Sequence, residues 1–255
     1  MNQLYIGTKR VVEPPKKGGY LLIADTVPKV RGAQLFDPKK HSFNALAQLD
    51  YRRICDIIDI FDAVFSRGDS TLTKDTGLDF IAERLAEKPR SFADLIPEPD
   101  KKATTGHIWA HGKIQRLLRS PVLRRVLCGT EPLSFKPSTV VLARVNRAEL
   151  GEFDALVIGL FLMAQFKGQL VVPDLGFYGR DLHTTLLREE RLIAGIDYLD
   201  QLPEKLRKTV LLVEDKVPAG ALYDDAETLA KHAGLVPDRL REDNPYNDAI
   251  REAMG

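Results

Sequence analysis

The residues best placed to do chemistry in this chain are carboxylates that follow short apolar runs. Residues 169–180, Gln-Leu-Val-Val-Pro-Asp-Leu-Gly-Phe-Tyr-Gly-Arg, read as a buried strand that delivers Asp174 to its carboxyl end. A nucleotide-hydrolysing α/β protein holds its magnesium-associated carboxylate at such a place. Asp174 is therefore the candidate catalytic and metal-binding residue, with Arg188 and Arg191 as candidate charge partners from the same or a neighbouring subunit. Phosphate chemistry also needs a grip on the phosphates, and no G-x-x-x-x-G-K-[ST] loop occurs anywhere in the 255 residues. The nearest segment, Lys16-Lys17-Gly18-Gly19, lacks both the spacing and the hydroxyl residue. The nucleotide-binding residues thus stay unassigned, and magnesium and ATP are implied as cofactors only if an active site survives. Without loop amides and a lysine on the phosphates, electrostatic stabilisation of a transferring phosphoryl group is largely lost. Asp174 then reads as a local cap for the turn that follows it.

Other groupings point to different chemistry. Asp25 at a strand end, with Asp37 and Lys39 a dozen residues on, has the ligand pattern of a metal-dependent nuclease: two carboxylates for a divalent cation and a lysine to orient water. Pro38 between Asp37 and Lys39 argues against a regular central strand there. His107 and His111 stand one helical turn apart, but no acidic or thiol ligand lies near them in sequence, so a helical pair outweighs a metal site. Lys113, Arg116, Arg119, Arg124 and Arg125 alternate with Leu117, Leu118 and Leu123. They form either a face that meets nucleic-acid phosphates or the wet side of an amphipathic helix whose arginine stems cover apolar surface. Asp181 and His183 have no Ser or Cys nucleophile at a recognisable elbow.

The elements that must position these residues follow from the apolar pattern. Residues 20–25, 139–145, 170–172 and 209–213 read as short buried strands separated by helical stretches, the pattern of a mainly parallel sheet with helices on its faces. The clearest unit is strand 139–145, helix from about 149 to 166, a stop at Gly168, and the strand leading to Asp174. A second crossover runs through residues 182–199 to the strand at 209. Right-handed crossovers would set these strands side by side. Between them and the N-terminal strand, residues 46–128 read as helical: Ile54, Ile57, Ile58, Phe61 and Phe65 fall on one helical face, and 78–85 and 108–127 continue the pattern. The expected organisation is an N-terminal part of the α/β core (1–45), a helical insert (46–128), the main core (129–238) and a polar tail (239–255).

Composition narrows the setting. Thirty-seven basic against 36 acidic residues leave a net charge of +1, so any nucleic-acid footprint must be local. The longest apolar run, 155–166, falls well short of the roughly 20 residues of a spanning helix, which speaks against membrane insertion. The first ten residues lack the apolar core of a secretion signal. Cys55 and Cys128 are too few for a disulfide framework, and a cytoplasmic location is expected.

Taken in order, these segments resemble the C-terminal two-thirds of an FtsK/HerA-type DNA-translocating ATPase, in the manner of type IV secretion coupling proteins. Asp37-Pro38-Lys39-Lys40-His41-Ser42-Phe43-Asn44 is similar to the strand end and turn that follow the nucleotide-binding helix in such motors. Thr71-Leu72-Thr73 with Leu78 and the helix at 82–85 resembles the entry to their helical domain. Strand 140–145 with Glu149-Leu150-Gly151 resembles a core strand and its helix. Residues 170–176 stand where their second acidic motif lies, and Leu202-Pro203-x-x-Leu206-Arg207 resembles a loop near the next strand. The resemblance spans about residues 20–215 and implies a RecA-like core with an inserted helical domain. It implies DNA and ATPase-type subunits, in a homo- or hetero-oligomer, as partners, in a mobile-element, secretion or packaging assembly. Such motors follow the strand-end Asp with Glu; here Leu175 and Gly176 follow Asp174. A degenerate, non-hydrolysing relative is the reading this favours, with the nuclease and a purely structural interaction protein as alternatives.

Overall fold

The computed structural model describes residues 3–6, 12, 14–15, 17–43, 45–46, 49–65, 70–96, 103–129, 132–136, 138–178, 192–196, 201 and 211–212. Seven strands form one sheet: β1 (Gln3–Ile6), β2 (Tyr20–Ala24), β3 (Gln34–Phe36), β4 (Val141–Arg144), β5 (Gln169–Val172), β6 (Leu192–Ile196) and β7 (Leu211–Leu212). Their order is β3-β4-β2-β5-β6-β1-β7, and every pairing is parallel. The protein is an α/β fold built on an all-parallel sheet with helices packed against it. Helices α1 (Tyr51–Phe65), α2 (Thr71–Ala86), α3 (Thr105–Arg119) and α4 (Pro121–Cys128) are inserted between β3 and β4, with one short 3-10 turn at Phe92–Leu95. After β4 come α5 (Arg147–Leu150) and α6 (Glu152–Gln165).

Side chains on the sheet alternate between two clusters, as the period of a strand requires. Leu21, Ile23, Val141, Ala143, Leu170, Val172, Leu192 and Ala194 face a large core that also holds the buried faces of α1, α2, α3, α4 and α6. Tyr20, Leu22, Leu142, Val171 and Ile193 face a smaller second cluster. β2, β4, β5 and β6 are buried on both faces, which explains why they read as unbroken apolar runs. A series of rings stitches the insert to the sheet layer. Phe43 meets Phe161 at 6.5 Å, Phe161 meets Phe92 edge-on at 5.6 Å, and Phe92 stacks on Phe61 at 6.4 Å. These residues are fully buried. The insert and the sheet therefore share one core rather than facing each other across a polar joint.

Three expected helices differ in the structure, each for a local reason. The stretch 108–127 is two helices, because Ser120 caps a new start and Pro121 stands at its first position, where no N–H is needed. The Ser120 hydroxyl also donates to Asp154 of α6, which locks the corner to the sheet layer. The stretch 149–166 is broken at Gly151, whose φ of +84° suits glycine alone among ordinary residues. Residues 192–196, expected within a helical crossover, form β6 instead, fully buried at every position. Strand adjacency is corrected too: β4 and β5 do not pair with each other because β2 lies between them, and β7 pairs with β1. Among the described residues no helix is long and apolar enough to cross a membrane.

Candidate functional site

The order of the sheet makes β2 a switch point. From β2 the chain leaves towards β3, beyond β4 on one side, whereas from β5, on the other side of β2, it leaves towards β6. Ligand crevices of open α/β sheets lie beyond the carboxyl ends of strands at such a point. A cavity of about 270 Å³ sits there, lined by Asp25 and Thr26 after β2, Val145 and Arg147 after β4, and Asp174, Phe177 and Tyr178 after β5.

Each charged residue reaches this crevice for a sequence reason. β2 is apolar to its last residue, Ala24, and Asp25 follows it directly. Val145 extends β4 by donating its N–H to the Ala24 carbonyl at 2.9 Å. Asn146 then caps α5, accepting from the Glu149 N–H at 3.0 Å, while its amide donates to the Asp25 carbonyl at 3.3 Å. That cap fixes Arg147 directly beside Asp25. The Arg147 backbone N–H donates to Asp25 Oδ1 at 3.0 Å, and its Nε and Nη2 donate to Asp25 Oδ2 at 3.1 and 2.9 Å. On the other side Arg147 Nη1 lies 2.8 Å from Asp174 Oδ2, in the turn after β5. The guanidinium stacks 4.7 Å from the centre of the Phe177 ring, a contact suited to its planar cation. Below it, Phe177 meets Tyr178 edge-on at 5.1 Å.

One arginine thus clamps two carboxylates across three adjacent strands. Partial burial pushes the Asp25 carboxyl up, but the hydrogen bonds and charge of Arg147 outweigh that and hold it below the usual carboxylate range. The hydrogen bond to Asp25 raises the Arg147 guanidinium above its ordinary value; burial opposes this, and Asp174 adds to it. The Tyr178 phenol is pushed well up by burial and stays protonated. Among the described residues that line it, the crevice holds one cation and two anions, and these residues offer a polyphosphate repulsion rather than a cradle.

The segment after β2 is ordinary loop. A helix N-terminus aimed at the crevice would supply amides and a favourable dipole. Residues 25–33, which follow β2, contain bends and a turn and no helix before β3 begins.

The other expected constellations disperse. Asp25 and Asp37 end β2 and β3, which β4 separates, so two strand spacings of about 4.8 Å each lie between them. Lys39 is paired with Glu149 at 2.7 Å, and its backbone N–H donates to Asp37 Oδ1 at 2.9 Å. The nuclease triad does not assemble. His107 Nδ1 accepts from the Thr104 N–H at 3.4 Å, and its ring packs 4.3 Å from Phe80. Among the described residues no group of three or more His, Cys, Asp or Glu side chains could hold a metal ion. In the basic stretch, Lys113 lies over Phe65 and Trp109, and Arg116 lies over Phe153 at 4.4 Å. Both cover aromatic surface. Arg119, Arg124 and Arg125 are exposed. Arg188 and Arg191 lie outside the described residues.

Arg147 is the residue of the candidate site that reading the sequence passed over. Its signal was a strand running into Val145-Asn146-Arg147, where the asparagine cap puts the next side chain at the strand's carboxyl end. Compared with protein-family models, characterised proteins and solved structures, the chain shows no match.

Proposed function

We propose that this chain is a non-hydrolysing relative of DNA-translocating ATPases, serving as a subunit of a DNA-transfer, secretion or packaging assembly. The observation that carries the reading is the Asp25–Arg147–Asp174 clamp at the switch point of the sheet. The crevice has the position of a nucleotide site, and its acidic residues bind an internal cation instead of an ion that could bridge phosphates. The loop after β2 offers no helix dipole, and the order of segments keeps the motor-like plan of strand, helical insert and paired central strands. In this role the chain contributes shape and contacts to an assembly whose chemistry another subunit performs.

Calorimetric titration of the full chain with ATP and magnesium tests the reading. No binding heat is expected up to millimolar nucleotide. Saturable binding at micromolar concentration would overturn it.

A further inference from the structure

The turn after β3 and the helix α4 are far apart in sequence but share one surface. Arg125 donates from its guanidinium to the Lys39 backbone carbonyl. The turn itself is rigid: the Lys40 and His41 N–H groups both donate to the Asp37 carbonyl, at 2.9 and 2.8 Å, and the Asp37 N–H donates to His41 Nδ1 at 3.0 Å. Phe43 then hydrogen-bonds Val126 of α4 at 2.9 Å, so turn and helix are held as a unit. Next to it, Glu149 pairs with both Lys39 and Arg144. Four cations, Lys39, Lys40, Arg125 and Arg144, thus lie at the carboxyl edge of β3 and β4 against two acids, Glu149, which pairs with Lys39 and Arg144, and Asp37 in the turn. Lys40 and Arg125 are exposed and form no ion pair among the described residues.

We infer that this patch contacts a nucleic-acid phosphate backbone, with Lys40 and Arg125 as its main phosphate ligands. The inference rests on the DNA-handling reading above and narrows it, since the basic stretch splits by role: Lys113 and Arg116 cover aromatic rings, whereas Arg125 joins a cluster left with surplus positive charge. Charge without apolar anchors favours phosphate over an acidic protein. A protein interface of any strength has a desolvated apolar or aromatic centre; here Pro38, Leu123 and Val126 are buried, Val122 and Cys128 are half-buried, and Pro121 at the start of α4 is the one exposed apolar residue of the unit, too little for such a centre. Phosphate contacts need only positioned cations.

The test is fluorescence anisotropy of the full chain with a labelled DNA duplex over a range of salt, comparing wild type, K40Q/R125Q and K113Q/R119Q. Circular dichroism confirms that each variant is folded. Wild type should bind. K40Q/R125Q should bind at least tenfold more weakly at low salt, with the log–log salt slope reduced by about two, as loss of two phosphate contacts requires. K113Q/R119Q should stay within about threefold of wild type. Equal binding by K40Q/R125Q and wild type would overturn the patch and leave the DNA-handling reading standing. No wild-type binding to duplex or single strand would overturn both. Displacement of the duplex by polyglutamate at equal charge as effectively as by unlabelled DNA would reassign the patch to an acidic protein. Should K40Q/R125Q fail to fold, K40Q alone must lower the slope by about one.

Discussion

At the residue scale, Arg147 ties the candidate site together. It uses three nitrogens and a backbone amide on two carboxylates, and places its flat face on Phe177. Replacing it by methionine keeps the stem and removes the cation that Asp25 and Asp174 share. The groups are part-exposed, so solvent screens much of the interaction, and the expected cost at pH 7 is about 1–2 kcal/mol. The pH dependence follows from the depressed Asp25 carboxyl. Its stabilisation is complete above the unfolded value of about 3.9 and disappears as pH falls through the lower folded value. Urea unfolding of wild type and Arg147→Met should therefore show a clear gap at pH 7 that narrows near pH 3. An equal gap at both values would mean that the clamp does not stabilise the fold through charge. The basic stretch holds a second residue-scale lesson. Sequence spacing could not separate cations over aromatic rings from cations left exposed, because the rings of Phe65 and Phe153 arrive from other helices.

At the scale of elements, the contact between α6 and the turn after β5 sets the floor of the crevice. A Cβ on Gly159 would come within 2.3 Å of the Tyr178 ring, so only glycine lets the phenol lie on the helix. Alanine has the higher helix propensity by about 1 kcal/mol. The buried ring cannot move aside freely, however, and overpacking of this kind costs typically about 1–3 kcal/mol. Gly159→Ala is expected to lower stability in thermal unfolding despite the better helix former. A rise in Tm would show that Tyr178 has room to shift. The elements readable in the sequence were those with a strong period or a long apolar run: α1 through its isoleucine and phenylalanine face, and β2, β4 and β5 through their buried runs. β6 was missed because five apolar residues in a row suit a buried strand and a buried helix equally. β1 was missed because four residues are too few to show a period.

At the scale of the whole molecule, the helical insert and the sheet behave as one body of packing. Phe43, Phe161, Phe92 and Phe61 form an unbroken ring contact from the sheet layer into the insert. A chain in which residues 51–128 are replaced by a short flexible linker should lose cooperative unfolding and bind hydrophobic dyes. A cooperatively folding remainder would show that the insert is an independent domain. The sequence displayed the insert as a block without strands, yet the sharing of its core with the sheet was hidden, since pattern reveals which face is apolar and not what will cover it. The site divides the same way. Asp174 after β5 and Asp25 after β2 were visible as strand-end acids, while their common partner arrives from β4, and only the strand order brings the three together.

The place of β1 in the sheet has a consequence for biosynthesis. Gln3 pairs with Ile193 and with Leu211, so β1 meets its two neighbours only after on the order of 200 further residues have been made. At about 5–20 residues per second, that leaves β1 without its partner strands for roughly 10–40 s. During this interval β2, β3 and β4 can already pair with one another, and the half of the sheet that carries Asp25 and Arg147 forms first. Ribosome-bound chains halted after residue 180 should therefore protect β2 from proteolysis but leave β1 open to it, and the clamp on Asp25 would be in place before the sheet is complete.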